Sequence, residues 1–320
     1  MTNLTQTTLQ VEAQKMADFL NKTFQPQAPY AFFLQFGSGF DCNALFKEQP
    51  QELLLRTIPG QESFLHPDFI EPTFYSGKTK DDIPILVLAG HRQSSEGNGL
   101  LPLLIPVTAA HLLKIHHHIY IEPAISLNTE MKPGSWAVLS DFINGHSVSP
   151  LDGQNHWLEN SYPDLNEALS QEQNSHIINN LHKVGIQTRL CTYLSIPGYH
   201  LCTAAEVKNA ASEADILGHN LVMEIILAYA MGCQVSACVL ITGQIAVGHQ
   251  RKINRKDILE TCKFCSQQFM RGLALICSDY FSYQQNPPQP VLPNVETDEI
   301  LHKNFTIKAN KPLKLKLKIK

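Results

Sequence analysis

Polar and titratable residues follow two short apolar runs in the stretch 85–152. The first run, 85–89, stops at a glycine and is followed by the polar segment His-Arg-Gln-Ser-Ser-Glu-Gly at 91–97. The second run, 118–121, stops at Glu-Pro, residues 122–123. Such runs are typical of central strands of an α/β sheet, whose ligands collect beyond the strand ends. The pattern predicts that the polar groups after each run contact a ligand, and that the second strand breaks at 122–123.

The composition is that of a soluble globular protein, with 320 residues, 43% of them hydrophobic and 17% charged. The 25 Lys and Arg residues against 29 Asp and Glu give a formal charge of −4, which argues against nucleic acid as the main partner. No run approaches the roughly 20 apolar residues that span a bilayer, and the first six residues lack the basic start and apolar core of a signal peptide. The sequence therefore predicts a cytoplasmic protein without a membrane span.

Hydrophobic periodicity predicts an α/β fold in which helices flank a central sheet. The predicted helices are 9–24, 100–115, 171–183, 221–231 and 254–277, and the further predicted strands are 30–36, 135–144, 187–194 and 234–242. Turn signals dominate 68–83, where no strand is predicted. From residue 284 onward a proline-rich linker precedes a tail in which Lys alternates with aliphatic residues. A solvated tail or an edge strand protected by lysines is favoured there over a docking arm for a partner or an anionic surface.

The cysteines and a histidine triplet raise the question of a metal site. The eight cysteines are scattered, mostly in apolar surroundings, and predict reduced core thiols. Cys262 and Cys265 have a CxxC spacing, but no second pair at a ligand-like spacing exists, so buried or half-buried thiols are favoured. The adjacent histidines 116–118 do not share a face, and a helix end bordering a strand is favoured over a metal tract. The sequence therefore predicts no metal and no resident cofactor.

Several glycine-marked segments occur in a recognisable order. The chain has Gly-Ser-Gly at 37–39, Gly-His-Arg-Gln-Ser-Ser-Glu-Gly at 90–97 and Glu-Pro-Ala-Ile-Ser-Leu-Asn at 122–128. It continues with Gly-Tyr-His-Leu-Cys-Thr at 198–203 and with Gly-His-Asn at 218–220. Over about 30–277 this arrangement resembles the trimeric purine nucleoside phosphorylases. Their corresponding segments are Gly-Ser-Gly, Gly-Arg-x-His-x-Tyr-Glu-Gly, Asn-Ala-Ala-Gly-Gly-Leu-Asn, Gly-Pro-x-Phe-Glu-Thr and Gly-Met-Ser.

The resemblance implies a single α/β domain over 1–283, followed by the linker and tail over 284–320. Its central mixed β-sheet is expected to be partly barrel-like and flanked by helices. It also implies a homotrimer that takes a purine nucleoside or a related small molecule, with inorganic phosphate as co-substrate if the protein is active. Phosphorolysis of purine ribonucleosides to the base and ribose 1-phosphate is the family reaction.

The resemblance places a phosphate site at five residues, of which one side chain is unchanged. Ser38 keeps the family serine, whereas His91 stands in the arginine slot and Gln93 in the histidine slot. Arg92 lies one residue along, where an extended chain would point its side chain to the opposite side. Ala124 belongs to the segment whose backbone binds phosphate in the family. A permanent positive charge at the matched position is therefore lost.

The matched base and sugar positions are also substituted. At the catalytic positions, Cys202 takes the glutamate slot, Gly243 the asparagine slot and Arg255 the histidine slot. The substrate-binding substitutions are Ser95 for tyrosine, Glu122 for asparagine, Leu201 for phenylalanine, His219 for methionine and Asn220 for serine. Neither the strong acceptor nor the donor for the departing purine remains.

Three functional hypotheses remain open. In the first, the protein is a nucleoside phosphorylase with weak or altered activity and a rebuilt phosphate site. In the second, it is a non-catalytic homologue that binds a nucleoside, a nucleotide or a protein. In the third, the cleft serves a different enzyme, with Cys202 as nucleophile and His200 or His219 as base, although an ordinary packed thiol at Cys202 is favoured. The residue chemistry favours the second.

Overall fold

The computed structural model describes residues 7–62, 70–93, 99–153, 157–158, 162–197, 202–246, 249–250 and 254–285. The chain consists of two compact units, residues 1–282 and residues 283–320. The first unit contains the sheet described below, and the described part of the second is 283–285. The predicted boundary at 283/284 stays a prediction. None of the described helices is both long and apolar enough to cross a membrane.

Helices and strands alternate along the described residues. The helices are α1 Thr8–Phe24, α2 Leu101–Leu112, α3 Gln171–Lys183, α4 Ala204–Ala210, α5 Val222–Ala230 and α6 Arg255–Gln285. The strands are β1 Phe32–Phe36, β2 Gln51–Leu54, β3 Thr73–Lys78, β4 Pro84–Ala89, β5 His117–Ser126, β6 Trp136–Asn144, β7 Thr188–Ser195, β8 Ile216–Gly218, β9 Gln234–Ala246 and β10 His249–Gln250.

The ten strands form one mixed sheet that closes partly on itself. Their order is β10-β9-β6-β7-β8-β5-β1-β4-β3-β2, and β9 also pairs with β5. The ring β5-β9-β6-β7-β8 is therefore a closed barrel, and β1 to β4 extend the sheet from β5. Strands β4, β1, β5 and β9 are parallel, so their carboxyl ends lie on the same side. The expected fold, an α/β domain with a partly barrel-like mixed sheet flanked by helices, is confirmed.

Helices cover both faces of this sheet because successive strand residues point to opposite sides. Phe33 of β1 packs in an apolar cluster with α1, α2 and α5, whereas Phe32 and Leu34 pack in a second cluster with α3 and α6. Helix α1 starts at the N-cap Thr7, whose side chain accepts from the backbone of Gln10 while the Gln10 side chain accepts in return. The face of α1 that meets the core is the apolar one that its sequence predicts.

Strand β5 does not break at Glu122–Pro123, and this prediction is wrong. The strand runs to Ser126, and β9 pairs with it from His117 to Ser126. On its other edge, β1 pairs up to Ile121 and β8 pairs from Ile125. Pro123 therefore sits where this edge changes partners, a position at which a residue without an N–H is tolerated. Residues 122–124 are left facing the gap between β1 and β8.

The prediction of turns without a strand over 68–83 is also wrong. Strand β3, Thr73–Lys78, lies there between β2 and β4, with antiparallel pairing on both sides. Its sequence, Thr-Phe-Tyr-Ser-Gly-Lys, contains a Ser-Gly pair that is typical of turns. Gly77 is needed instead for close packing, because a Cβ there would lie 2.7 Å from a ring carbon of Phe46. Tertiary pairing overrides the local signal.

Helix α6 packs on the barrel through an apolar cluster that includes one stacked aromatic pair. Phe269 of α6 and Trp136 of β6 stack with ring centroids 3.7 Å apart and an interplanar angle of 7°. Phe269 is fully buried, whereas Phe264, one and a half turns earlier on the same helix, is 88% exposed. The two residues offer a matched comparison.

We expect Phe269→Ala to lower the free energy of unfolding by about 3–5 kcal/mol, because it leaves a cavity against Trp136. Phe264→Ala should change it by no more than about 0.5 kcal/mol, since its ring is solvated. Urea unfolding of both variants measures the difference. Equal losses would contradict the packing described for α6.

Candidate functional site

The loop after β1 brings a serine to the carboxyl end of the parallel strands. Ser38 lies between Gly37 and Gly39, and Gly39 adopts a φ of +97°, which favours glycine. A Cβ at Gly37 would collide with the Glu122 carboxylate and would lie 2.6 Å from Cδ of Pro123. The glycine thus allows the loop to pack directly on β5, with Ser38 beside it.

A cavity of about 350 Å³ opens at this end of the sheet. We call it the site cavity, and the volume suits a small organic ligand. Its described lining residues are Ser38, Gln93, Glu122, Pro123, Ala124, Ile125, Tyr193, Leu217, Gly218, His219, Asn220, Thr242, Asn254, Arg255, Ile258 and Leu259. Seven residues predicted for the site are among them: Ser38, Gln93, Glu122, Ala124, His219, Asn220 and Arg255.

A buried imidazole lies between two carboxylates next to the site cavity. His91 Nε2 makes a short contact with Glu122 Oε1, and His91 Nδ1 lies 3.5 Å from Glu224 Oε1. His91 and Glu122 are each 5% exposed, and Glu224 is fully buried. We call these three residues the carboxylate cluster. Two acids share one base, so the cluster is net negative whenever both carboxylates are ionised.

Neighbouring amides hold both carboxylates of the cluster. Gln35 Nε2 donates to Glu224 Oε1 at 3.3 Å, and Asn220 Nδ2 donates to Glu122 Oε1 at 3.5 Å. Burial raises the pKa of Glu224, and the charge of His91 opposes that rise. A charge that is costly to bury is therefore retained only because its partners surround it.

Arg92 is buried and makes a hydrogen bond outside the site cavity. Its side chain is 1% exposed, and Nη2 donates to the backbone oxygen of Gln61 at 2.9 Å. Gln61 lies in the segment after β2, and Arg92 is not among the described residues that line the site cavity. The guanidinium serves to hold the 58–61 segment here.

Asn220 presents an unsatisfied acceptor at the site cavity. The residue is 9% exposed, and among the described residues none gives a hydrogen bond to its Oδ1. Its Nδ2 is the atom that contacts Glu122, so the amide is oriented with the oxygen available. A buried acceptor of this kind costs about 1–3 kcal/mol unless a ligand or water supplies a proton.

The wall formed by β7 and β8 is partly aromatic. Tyr193 is buried at the cavity, and burial, followed by the charge of Glu122, raises its pKa well above the ordinary value. Gly218 lets the Tyr193 hydroxyl approach, because a Cβ there would collide with it. His219 Nδ1 donates to the backbone oxygen of Ile196 at 3.2 Å, which selects the tautomer.

Two of the predicted catalytic positions are next to lining residues without being among the described residues that line the cavity. Gly243 is buried in β9 and paired with Ile125 of β5, and Cys202 packs on the small apolar cluster that includes Leu217. Neither is among the described residues that line the site cavity, and their catalytic roles stay predictions. Burial, followed by the charge of Glu206, raises the pKa of the Cys202 thiol, which is the reverse of what an activated nucleophile needs. Ser95, Leu201 and His200 lie outside the described residues.

Sequence reasoning missed several contributors. Tyr193, Thr242 and Asn254 line the cavity, and Gln35 and Glu224 stand behind it. Glu224 had a signal: α5 is otherwise apolar on every side, so a glutamate within it has to be paired in the interior. For Tyr193, the alternation of side chains along β7 predicts that it lies on one face of the strand. Only the closure of the barrel brings that face to the cavity.

The histidines and cysteines that raised the question of a metal site are placed as follows. Within the described residues no group of three or more His, Cys, Asp or Glu is placed to hold a metal ion. His118 is buried, contacts Tyr120 Oη and donates to the backbone oxygen of Ile115, and burial lowers its pKa to about 3. Cys262 is buried and Cys265 half-buried on α6.

Comparison with known proteins gives three findings. The model of the phosphorylase superfamily matches residues 49–274. Purine nucleoside phosphorylase 1 of Bacillus subtilis is 22% identical over 275 residues, covering 83% of this chain and 98% of its own. The enzyme of the same name from Geobacillus stearothermophilus is 25% identical over 194 residues, covering 60% of this chain and 71% of its own.

Solved structures give the same fold. A Schistosoma purine nucleoside phosphorylase in complex with hypoxanthine superposes with a TM-score of 0.73 at 20% identity, covering 85% of this chain and 98% of that one. The Schistosoma mansoni enzyme in complex with inosine gives 0.72 at 18% identity, covering 83% and 95%. Since the family model spans most of the described domain and the fold agrees, the chain belongs to the phosphorylase superfamily as a divergent relative of its purine nucleoside phosphorylases.

Proposed function

We propose that this protein binds a purine nucleoside or a purine base in the site cavity and that its phosphorolytic activity is weak or absent. The similar solved structures contain hypoxanthine and inosine. The site cavity of about 350 Å³ has both apolar walls and polar groups, as a nucleoside needs. By the same resemblance the proposed assembly is a homotrimer.

The carboxylate cluster is the observation that carries the proposal. His91 occupies the slot of the family arginine, and its imidazole is committed to Glu122 and Glu224. Glu122 also lines the cavity beside Ser38, so an incoming phosphate would meet an acid where the resemblance implies a cation. Two like charges 4 Å apart repel by about 4 kcal/mol at an effective dielectric of 20. That cost outweighs one hydrogen bond from Ser38, worth about 1.5–3 kcal/mol to a charged group.

The departing purine lacks its two matched partners as well. Cys202 and Gly243 hold the slots of the glutamate and asparagine that steady the base in the family, and neither lines the cavity. Each lost hydrogen bond directed at developing charge costs about 2.7–4 kcal/mol of transition-state stabilisation. Binding survives such losses better than catalysis does, because they remove interactions that are strongest in the transition state.

We expect inosine or guanosine to raise the melting temperature of the protein, whereas inorganic phosphate alone leaves it unchanged. Calorimetric titration of the full chain with each compound checks the same point directly. Hypoxanthine released from inosine at ordinary family rates, dependent on phosphate and lost in Ser38→Ala, would contradict weak phosphorolysis. If no nucleoside, base or nucleotide binds, the proposal is replaced by the hypothesis of a non-catalytic homologue that binds a protein.

The double variant His91→Arg with Glu122→Asn restores the family arginine of the phosphate slot and removes the neighbouring acid by restoring the family asparagine. We expect it to gain stabilisation by phosphate, with the melting temperature rising about 2–4 °C per kcal/mol of binding free energy. His91→Arg alone is the matched control, because its guanidinium would pair with Glu122 rather than with phosphate. A double variant that still ignores phosphate would show that the carboxylate cluster is not what excludes it.

A Cys202-dependent enzyme is the competing proposal, and thiol chemistry tests it. Because burial raises the pKa of Cys202, it carries less thiolate at pH 7 than free cysteine does. We expect its modification by a thiol reagent to be slower than that of free cysteine, and to accelerate at a higher pH. Cys265, the other half-buried thiol, is compared through the single variants Cys202→Ser and Cys265→Ser. Rapid reaction of Cys202 at neutral pH would favour the nucleophile hypothesis.

A further inference from the structure

Two independent features meet on one wall of the site cavity. Glu122 lines the cavity with its Oε1 held by His91 and Asn220, and Oε2 lies against Gly37, next to Ser38. Asn220, nine-tenths buried on the same wall, has an Oδ1 acceptor that no described residue satisfies. A carboxylate that can take a proton thus stands beside an acceptor that needs one.

A water molecule satisfies both features, whereas a phosphate does not. Water donates two protons, so one O–H can point to Asn220 Oδ1 and the other to the Glu122 carboxylate. Inorganic phosphate at neutral pH carries negative charge and would face the oxygens of both residues. The cavity wall formed by Glu122 and Asn220 is therefore complementary to an uncharged hydrogen-bond donor.

We infer that Glu122 is a general base for water and that the protein hydrolyses the N-glycosidic bond of a bound purine nucleoside. This inference rests on the proposed nucleoside binding. In the reaction the water oxygen forms a bond to C1′ of the sugar while the bond from C1′ to the base nitrogen breaks. The electron pair of that bond leaves with the base. Glu122 takes one proton from water, the departing base takes one from solvent, and Glu122 later returns its proton, so the products are the free base and ribose.

The other members of the carboxylate cluster position Glu122 rather than touch the reactants. His91 holds Oε1 from behind, and Glu224, fully buried in α5, holds the other side of the imidazole. Gln35 in turn donates to Glu224. This chain of contacts keeps the Glu122 carboxylate in one orientation.

The test is release of base from inosine, guanosine and adenosine by the full chain in phosphate-free buffer containing oxygen-18 water. We expect free base and ribose labelled at C1, at a rate that added phosphate does not change. Glu122→Gln should slow release by about 100-fold or more while nucleoside binding and melting temperature are retained. Glu52→Gln, on the exposed edge strand β2, makes the same chemical change away from the cavity and should leave the rate unchanged.

A second variant guards against misfolding of Glu122→Gln. Asn220→Ala leaves the carboxylate in place, and we expect it to slow release by about 10-fold or more through loss of the water contact. Ribose 1-phosphate as the sugar product, or full activity of Glu122→Gln, would overturn the inference. Nucleosides that bind by calorimetry without any release of base would overturn it while leaving the proposed function standing. Failure of all nucleosides to bind would overturn both.

Discussion

The contact between His91 and Glu122 is the interaction on which the rest of the site depends. A carboxylate at the end of a central strand, 5% exposed, is tolerated only when a donor meets it. His91 supplies that donor from the end of β4, and Glu224 stabilises the imidazole from α5. Three elements distant in sequence are tied together by one buried ring. Removing His91 would leave two carboxylates in the interior without the group that lies between them.

This cluster explains why a familiar scaffold can acquire different chemistry. The parallel strands β1, β4 and β5 still deliver their ends to one crevice, and the glycines at 37, 39 and 218 still permit close packing. Glu122 and Arg255 both line this crevice, so it presents a carboxylate and a guanidinium. A fold positions groups and does not choose them, so the reaction follows from the residues present.

The gap on the free edge of β5 gives these residues their access. Where β1 has ended and β8 has not begun, residues 122–124 pair with β9 alone, and their other side opens to the cavity. Pro123 fits this position because it has no N–H to satisfy. The proline that appeared to end a strand instead marks the place where the strand is exposed to a ligand.

The sequence by itself determined the helices α1, α3 and α5, the central strands and seven of the sixteen described residues that line the site cavity. Amphipathic spacing, buried apolar runs and glycine-marked ends are local signals that survive without a partner. It also indicated, through the slots of His91 and Glu122, that an anion site had been changed.

Only the tertiary structure decided where the changed residues point. Arg92 donates to the backbone of Gln61, Cys202 packs on a small apolar cluster, and β3 forms despite its turn residues. Glu224 and Gln35 join His91 from elements far away in the chain. Each of these outcomes depends on strand pairing and barrel closure between distant segments, and such long-range contacts leave no periodicity in a single sequence.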